Sequence, residues 1–549
     1  MKSTNILLEH LLQYLLTLQF GGKYKWKTLN HNGVLFPSEY VPHGIPVIYN
    51  GEKVQLSAEA EEAATMYAKY VDTEYTQNKT FNKNFWNDWK KILGKTHVIQ
   101  NLENCDFKLI YDHILATNGK KKDESKENKE EIKKQKAIEE EKYKVAIVDD
   151  KPQPVGNFRM EPPGIFIGRG CNPKLGKLKK RIYPEDIIIN IGKESPVPLC
   201  PTGHRWKKVI HDKSVEWLAS WKDDITGKMK YMWLGAHSDF KAASDQNKFD
   251  LARKLKKKIK VINEENEKNM KSGDAKLKQI STALYFIDKL ALRVGNEKSE
   301  DETDTVGVTS LRVEHISLND DFHIVLDFLG KDSVRYHNKI KVEPIVYNNI
   351  KNFIHDKTKD DDLFDLINAN DINKYLQTFM KGLTAKVFRT YNASLLFQKE
   401  IKKINKKYEN VEQKNMTILM DEYSKANAKV AMLCNHQKNI NKSFKVQVEK
   451  LDTSIKSIKS KVRKAKTAAK KNPEKIKKLT DQLEKAKSKK ELKMQLKNIA
   501  LGTSKSNYID PRITVAFMKL HNVPVDKVFS KALQEKFKWA FDVDSAYKF

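Results

Sequence analysis

The feature that most constrains the fold is a lysine-rich segment between residues 444 and 497. Apolar residues recur there at heptad spacing, with lysine in most of the gaps, at Phe444, Val448, Leu451, Ile455, Ile458 and Val462. The pattern breaks at residues 470–474 and resumes at Ile476, Leu479, Leu483 and Ala486. Two helical stretches joined at a proline-containing break predict an antiparallel helical hairpin with little core besides its own seam. We expect it to stand out from the body as a basic arm.

The chain as a whole has the composition of a multidomain globular protein. Of its 549 residues 39% are hydrophobic, which is enough for a large core divided among several domains. Its 102 lysines and arginines outnumber its 71 acidic residues, which leaves a net charge of +31 and favours a polyanionic partner. The most apolar stretch, residues 5–20, is interrupted by polar side chains and predicts an amphipathic helix, not a membrane span. Nucleic acid is therefore a better expectation than a membrane.

Metal and disulfide chemistry find little support. The four cysteines, Cys105, Cys171, Cys200 and Cys434, form no C-x-x-C pair, which argues against a disulfide framework and a structural zinc site and predicts a reducing compartment. The acidic stretch at residues 300–304 lacks the glycine and spacing of a calcium loop. We expect no metal site.

Composition changes along the chain suggest the order of its parts. Residues 24–107 indicate a compact α+β region, and residues 119–144 are a lysine- and glutamate-rich segment, either a solvated helix or a flexible connector. Short β-like runs between proline and glycine turns fill residues 152–233. Helices dominate afterwards, beginning with one predicted over residues 276–292 that ends at Arg293.

Two local patterns mark candidate functional residues. Residues 330–333, Gly-Lys-Asp-Ser, lie between two β-like runs and predict the tip of a hairpin that carries Lys331. Tyr508 comes just before Asp510-Pro511, which predicts a capped helix start where backbone N–H groups favour an anion such as phosphate. Taken alone, Tyr508 is more often a core tyrosine with a bonded hydroxyl.

Five separated motifs, taken together, are more specific than any one of them. In chain order they are LALRVGNEK, FLGKDSVRY, GLTAKVFRTYNAS, LCNHQ and SKSNYIDPR, and they are preceded by NFRMEPPGIFIGRG and WKTLNHNGVLF. In sequence and order this set resembles the active-site motifs of eukaryotic type IB DNA topoisomerases, and the similarity covers nearly the whole chain.

The resemblance implies a role for each motif. Tyr508 would be the nucleophile that forms a 3′-phosphotyrosine, Arg293, Arg389 and His436 would contact the scissile phosphate, and Lys331 would protonate the leaving 5′ oxygen. Arginine suits this task because its planar guanidinium matches phosphate geometry and stays charged. Two explanations stay open for how Tyr508 loses its proton: the positive charge of the pocket favours the phenolate, or water takes the proton.

The family's architecture is an α+β multidomain DNA clamp. The resemblance implies an N-terminal extension over residues 1–22, a mixed α/β DNA-binding lobe over 23–238 with the charged helical segment near 119–144, and a mostly helical catalytic domain over 239–440, related to tyrosine recombinases. A coiled-coil linker would follow over 441–500, and a C-terminal domain with Tyr508 over 501–549. The linker could act as a tether for Tyr508 or as a brake on DNA rotation.

The resemblance also implies partners. Duplex DNA would be bound largely without sequence preference, by a monomer in the nucleus, with no cofactor because one phosphodiester is exchanged for another and no ATP-binding loop is present. Residues that match DNA contacts or the camptothecin-type inhibitor pocket are Arg169, Asp332, Lys386, Thr503 and Asn507. One departure is Ile167, where the family usually has arginine.

Two other functions compete with this interpretation. A tyrosine recombinase uses a similar set of arginine, lysine, histidine and tyrosine, but the helical hairpin between His436 and Tyr508 favours the topoisomerase. A non-catalytic nucleic-acid-binding protein would need only the basic surface, and the presence of every expected catalytic side chain makes it the weaker hypothesis.

Overall fold

The computed structural model describes residues 24–298, 302–411, 415–438, 440, 443–467 and 472–549. The described residues form two compact units. The N-terminal unit contains those up to Ala242 together with residues 302–303, and the C-terminal unit contains Ala243 to residue 298 and Asp304 to Phe549. The predicted amphipathic helix and N-terminal extension lie outside the described residues. Within the described part of the chain, no helix combines the length and apolarity that a membrane crossing requires.

Short strands and a few helices build the N-terminal unit. Its helices are α1 (Ala58–Ala68), α2 (Lys79–Leu93), α3 (Lys108–Asp123) and α4 (Lys126–Glu141). Its strands are β1 (Leu29–Asn30), β2 (Val47–Tyr49), β3 (Glu52–Val54), β4 (Cys105–Asp106), β5 (Val145–Val148), β6 (Lys151–Pro154), β7 (Gly164–Ile165), β8 (Leu178–Lys179), β9 (Ile188–Asn190), β10 (Lys208–Ile210), β11 (Trp217–Lys222) and β12 (Met229–Trp233). The largest sheet has the order β10-β9-β11-β12, with β9 and β10 parallel and the other pairs antiparallel.

Two hydrophobic clusters hold this unit together. One lies under the β9–β12 sheet and includes Ile189, Leu218 and Trp221. The other collects the apolar face of α2, where Phe81 and Phe85 recur at helical spacing and are fully buried. The lysine- and glutamate-rich segment is different, because no side chain of α4 is buried. It is therefore a solvated helix.

The C-terminal unit is mostly helical around one three-stranded sheet. Its helices are α5 (Asp239–Met270, which begins in the N-terminal unit), α6 (Ala275–Lys289), α7 (Pro344–Ile354), α8 (Ala369–Phe379), α9 (Ala385–Lys407), α10 (Met416–Leu433), α11 (Phe444–Thr467), α12 (Pro473–Gln495), α13 (Leu501–Asn507), α14 (Pro511–His521) and α15 (Lys531–Lys536). Its strands are β13 (Ile316–Asn319), β14 (His323–Gly330) and β15 (Val334–Lys341), paired in that order. One hydrophobic cluster joins most of these helices to the buried face of β14, and the described residues of α11, α12 and α13 are not part of it.

The predicted hairpin tip is confirmed. β14 and β15 pair antiparallel up to Gly330 and Val334, so that the turn consists of Lys331, Asp332 and Ser333. Asp332 and Ser333 have φ angles of 68° and 56°, in the left-handed region that tight turns use. The turn thus holds Lys331 at the end of a regular two-stranded ribbon.

The predicted helical hairpin corresponds to α11 and α12. Residues near the start of α11 contact residues near the end of α12, as in the pairs Asp452 with Lys490 and Gln447 with Lys493, so the two helices run antiparallel. Val462 is the only buried side chain of α11, and the described side chains of α12 include none. The expectation that the hairpin stands apart needs a correction, because Lys425 of α10 forms an ion pair with Glu491 at 2.7 Å. The last turns of α12 therefore lie against the body of the unit.

Candidate active site

Tyr508 lies at the junction of two helices. It caps the C-terminus of α13, and its backbone N–H donates to the Ser504 carbonyl at 2.9 Å. The Ser394 hydroxyl of α9 donates to the Tyr508 carbonyl at 3.1 Å and accepts from the Asp510 N–H at 3.0 Å. These bonds fix the backbone on both sides of Tyr508, so its ring has a defined position before any ligand binds.

The helix that follows Tyr508 begins where the sequence predicts, but its first turn is already occupied. Asp510 is fully buried and accepts from the Arg512 N–H at 3.0 Å, and it also forms an ion pair with the Arg512 guanidinium at 2.8 Å. The expectation that a phosphate would bind at this helix start is therefore wrong, since the Asp510 carboxylate takes the place of the anion.

Three cationic or imidazole side chains surround the Tyr508 ring instead. The Arg293 Nη2 lies 3.4 Å from the Tyr508 hydroxyl, and the Arg389 guanidinium carbon lies 5.4 Å from the ring centre. The His436 ring stacks on Tyr508, with centroids 5.4 Å apart. Four residues that are widely separated in sequence thus meet at one place.

Arg389 is buried but incompletely bonded. It lies one turn into α9, is 5% exposed, and donates through Nη2 to the Cys434 carbonyl at 2.6 Å. Its Nε and Nη1 are also buried and have no hydrogen-bond partner among the described residues. Buried donors without a partner are unfavourable in a folded protein and are expected where a ligand supplies the acceptor.

Arg293 is not at a helix end, contrary to the prediction. Helix α6 stops at Lys289, because Ala291 has a φ angle of 50° that a right-handed helix cannot contain. Arg293 lies in the loop beyond, where its carbonyl accepts from the Val308 N–H at 2.9 Å. Burial, and after it the positive charge of Arg389, lower the pKa of the Arg293 side chain. Two neighbouring cations, Arg389 buried and Arg293 half-buried, favour binding of an anion.

His436 completes this group from the loop after α10. It is 7% exposed, its Nδ1 lies 2.8 Å from the Ser504 hydroxyl, and its buried Nε2 has no partner among the described residues. Burial, and then the charges of Arg389 and Arg293, lower the pKa of His436 to about 4. The imidazole is therefore neutral near pH 7 and can donate a hydrogen bond through only one ring nitrogen.

Lys331 lines a concavity together with Arg293 and Arg389. Its lining includes Arg293, Phe328, Lys331, Tyr336, Arg389 and Asn435. The side-chain amides of Asn435 and Gln437 both donate to the Arg335 carbonyl at 3.2 Å, which ties the loop of His436 to the hairpin of Lys331. All five predicted catalytic residues thus belong to one neighbourhood of the C-terminal unit, in which Lys331, Arg293 and Arg389 line the concavity and the two arginines and His436 contact Tyr508.

The residues predicted to contact DNA or an inhibitor lie on several different elements, unlike the five predicted catalytic residues. Asp332, Lys386, Thr503 and Asn507 are exposed residues of the C-terminal unit, on the hairpin tip, the first turn of α9 and α13. The Asn507 amide donates to the Thr503 carbonyl at 3.3 Å. Arg169 is an exposed residue of a bend in the N-terminal unit, and Ile167 packs partly buried against the α2 cluster. An isoleucine there serves the unit's own packing.

Sequence reasoning missed the side chains that hold the site in place. Ser504, Ser394 and Gln437 each bond a residue of the predicted catalytic set or a segment that carries one. Ser504 lies one helical turn before Tyr508, and this spacing could have identified it if α13 had been predicted.

Models of known protein families match most of the chain. The model of the eukaryotic DNA topoisomerase I DNA-binding fragment matches residues 24–234, and that of the catalytic core matches residues 237–469. A C-terminal topoisomerase domain matches residues 480–549. Together these matches cover the residues around Tyr508 and most of both units.

Individual relatives lead to the same family. The chain is 46% identical to DNA topoisomerase 1 alpha of Arabidopsis thaliana over 96% of its own length and 60% of that protein. It is 45% identical to DNA topoisomerase 1 of Caenorhabditis elegans and 44% identical to that of Homo sapiens, covering 67% and 72% of those proteins. The chain belongs to the eukaryotic DNA topoisomerase I family. It spans about 60% of the length of the Arabidopsis relative.

Proposed function

We propose that this protein is a type IB DNA topoisomerase that cleaves one strand of duplex DNA, allows rotation and reseals the strand. The observation that carries the proposal is the group of buried nitrogen atoms around Tyr508, namely Arg389 Nε and Nη1 and His436 Nε2, which have no protein partner among the described residues. A phosphodiester would supply acceptors for the two arginine nitrogens and, if Nε2 carries the imidazole proton, for His436.

In the proposed reaction the Tyr508 oxygen attacks the phosphorus, and the bond from phosphorus to the 5′ oxygen breaks. The phenol loses its proton and the 5′ oxygen gains one, so the products are a 3′-phosphotyrosine and a free 5′ hydroxyl. Arg293, at 3.4 Å from the phenol oxygen, is placed to stabilise charge both on that oxygen and on the phosphate. Resealing is the reverse reaction, in which the 5′ hydroxyl attacks and Tyr508 leaves.

Charge builds on the non-bridging phosphate oxygens during the attack. Arg293 and Arg389 carry two positive charges into a buried site, where an electrostatic interaction is stronger than in water. His436 adds a neutral donor, a role that does not require it to act as a base. These side chains perform the charge stabilisation for which other nucleases use metal ions, so we propose that the reaction requires neither a metal nor ATP.

The departing 5′ oxygen needs a proton because an alkoxide is a poor leaving group. Lys331 is proposed as its source, acting from the hairpin tip beside Arg293 and Arg389. The contacts of Asn435 and Gln437 with the Arg335 carbonyl support this role, since they hold the Lys331 hairpin against the loop of His436.

The remaining features are proposed from the family. The two units would form a clamp around DNA, with α11 and α12 as a basic linker that tethers Tyr508 or slows rotation. Binding would depend mainly on phosphate contacts, with weak sequence preference and strong dependence on salt. Arg169, Asp332, Lys386, Thr503 and Asn507 would contact DNA or line a camptothecin-type inhibitor pocket. We further propose a nuclear monomer.

Plasmid relaxation tests the proposal directly. The purified protein should relax both positively and negatively supercoiled plasmid in EDTA without ATP, whereas Tyr508→Phe should give no detectable relaxation and still bind DNA. The phenylalanine keeps the ring that packs on His436 and Arg389 and removes only the oxygen.

Tyr347→Phe, which removes a phenol from α7 of the same unit, is the matched control and should relax plasmid normally. Normal relaxation by Tyr508→Phe would exclude it as the nucleophile, and a wild-type protein that relaxes nothing would favour a recombinase or a non-catalytic DNA-binding protein.

A further inference from the structure

Ser504 makes a buried contact with the active site that the reaction outlined above does not use. Its side chain is fully buried on α13, and its hydroxyl oxygen lies 2.8 Å from His436 Nδ1. Among the described residues this is the one hydrogen bond in which the Ser504 hydroxyl takes part. One hydrogen lies between His436 Nδ1 and the Ser504 oxygen, and it belongs either to the imidazole or to the hydroxyl.

A neutral imidazole carries one N–H, on either Nδ1 or Nε2. Protonation of both nitrogens is disfavoured because His436 is buried beside Arg389 and Arg293, which lower its pKa to about 4. Two arrangements remain. Either Ser504 donates to Nδ1 and the proton of His436 is on Nε2, or Nδ1–H donates to Ser504 and Nε2 is bare.

Counting unsatisfied groups distinguishes the two arrangements. If Nδ1–H donates, the Ser504 hydroxyl hydrogen has no acceptor in a fully buried place, and Nε2 is a second buried atom without a partner. If Ser504 donates, only the Nε2–H lacks a partner, and a phosphate oxygen can accept from it. The arrangement in which Ser504 donates therefore leaves fewer buried polar groups unsatisfied, and it leaves the Nε2–H of His436 available to a ligand.

We propose that Ser504 is a positioning residue that fixes His436 in the Nε2–H tautomer. The inference rests on the proposed function, in which His436 donates to the scissile phosphate. It also joins two parts of the reaction, because the Ser504 carbonyl accepts the Tyr508 N–H at 2.9 Å on the same short helix. Helix α13, which leads into Tyr508, thus also determines which nitrogen of His436 is protonated. His436 can donate to the phosphate through Nε2 only when α13 packs against it.

The tautomer can be observed in the free protein by nitrogen-15 NMR of the full chain labelled at histidine. Protonated and bare ring nitrogens have well-separated shifts, and the His436 signals are those that disappear in His436→Gln. Wild-type protein should have the proton on Nε2. A proton on Nδ1 in the wild type would overturn the proposal without any variant and without DNA, and hence independently of whether the protein relaxes plasmid.

Ser504→Ala should shift the His436 signals toward the Nδ1–H tautomer or a mixture and slow single-turnover DNA cleavage about tenfold, the scale of one hydrogen bond in a buried site. Ser504→Thr keeps the hydroxyl and should restore the wild-type tautomer. Ser506→Ala is the control, because it also removes a hydroxyl from α13. The Ser506 hydroxyl donates to the Thr503 carbonyl and not to His436, so its loss should leave the tautomer unchanged.

A double-mutant cycle separates positioning from general support of the fold. If Ser504 acts through His436, Ser504→Ala should have no further effect on cleavage in a His436→Gln background. An equal loss of cleavage in both backgrounds, or an unchanged tautomer in Ser504→Ala, would overturn the proposal.

Discussion

Two buried arginines of the C-terminal unit, Arg512 and Arg389, differ in what surrounds them. Both are almost inaccessible, at 7% and 5% exposure. Arg512 donates to Asp510 and, through Nη1, to Asp250 at 2.8 Å. Arg389 donates to the Cys434 carbonyl at 2.6 Å, and the described residues provide no ion pair for it.

The side-chain pKa values of Arg512 and Arg293 are shifted in opposite directions. Burial alone would lower the pKa of Arg512, but the hydrogen bonds and charge of Asp510 outweigh it and raise that pKa above its ordinary value. Arg293, which has Arg389 as its neighbour, has a lowered pKa. One arginine is neutralised by its own fold, whereas the other two present positive charge to a ligand. Burial alone therefore does not distinguish these arginines, whereas the presence or absence of a counter-charge does.

The largest expected effect comes from breaking the neutralised pair. Arg512→Ala leaves Asp510 buried without its cation, and we expect the free energy of unfolding of the C-terminal unit to fall by about 3–5 kcal/mol. Chemical denaturation followed by circular dichroism measures this. The double variant Arg512→Ala with Asp510→Ala should recover part of the loss, because no unpaired carboxylate remains. An unchanged unfolding free energy would mean that the pair contributes nothing.

The second effect concerns activity instead of stability. Arg389→Met keeps an unbranched side chain of similar length and removes the charge, so we expect cleavage by the folded protein to slow by about 10²–10³-fold. The unfolding midpoint should not fall, since the variant removes a buried cation that has no counter-charge. Single-turnover cleavage of a suicide substrate and thermal unfolding measure the two quantities. A variant that is strongly destabilised but cleaves normally would reverse the roles assigned to Arg389 and Arg512.

Periodicity and turn residues identified much of this fold. The heptad pattern predicted α11 and α12, and Gly330 to Ser333 predicted the hairpin tip, because both patterns depend on neighbours in sequence. Helix α13 was not predicted, since its sequence, LGTSKSN, contains glycine, serine and threonine and has weak helix propensity. The Lys505 side chain, which donates to the Val528 carbonyl at 2.9 Å, is one of the tertiary contacts that hold it.

The candidate site depends even more than helix α13 on contacts between residues that are distant in sequence, which local patterns do not predict. The residue types of the catalytic set were predicted from motifs that resemble a family, whereas no local pattern distinguished Arg389 from Arg512. The bonds that distinguish them join residues far apart in sequence, such as Arg389 with Cys434 and His436 with Ser504, which are 45 and 68 residues apart. Only the folded chain determines which buried arginine finds a carboxylate.

The smallest expected effect tests whether the charge of Arg389 reaches His436. Burial contributes most to the low pKa of His436, and the charges of Arg389 and Arg293 follow. Arg389→Met should therefore raise the pKa of His436 from about 4 part of the way toward its ordinary value of 6.5, while Arg512→Ala should leave it unchanged.

Because the pKa of His436 is lower in the folded than in the unfolded protein, its contribution to stability is complete above pH 6.5 and is lost as the pH falls toward 4. Histidine NMR titration gives the pKa, and unfolding at a series of pH values should show a weaker decline in stability over this window in Arg389→Met than in the wild type. The same decline in both proteins would mean that the charge of Arg389 does not affect the protonation of His436.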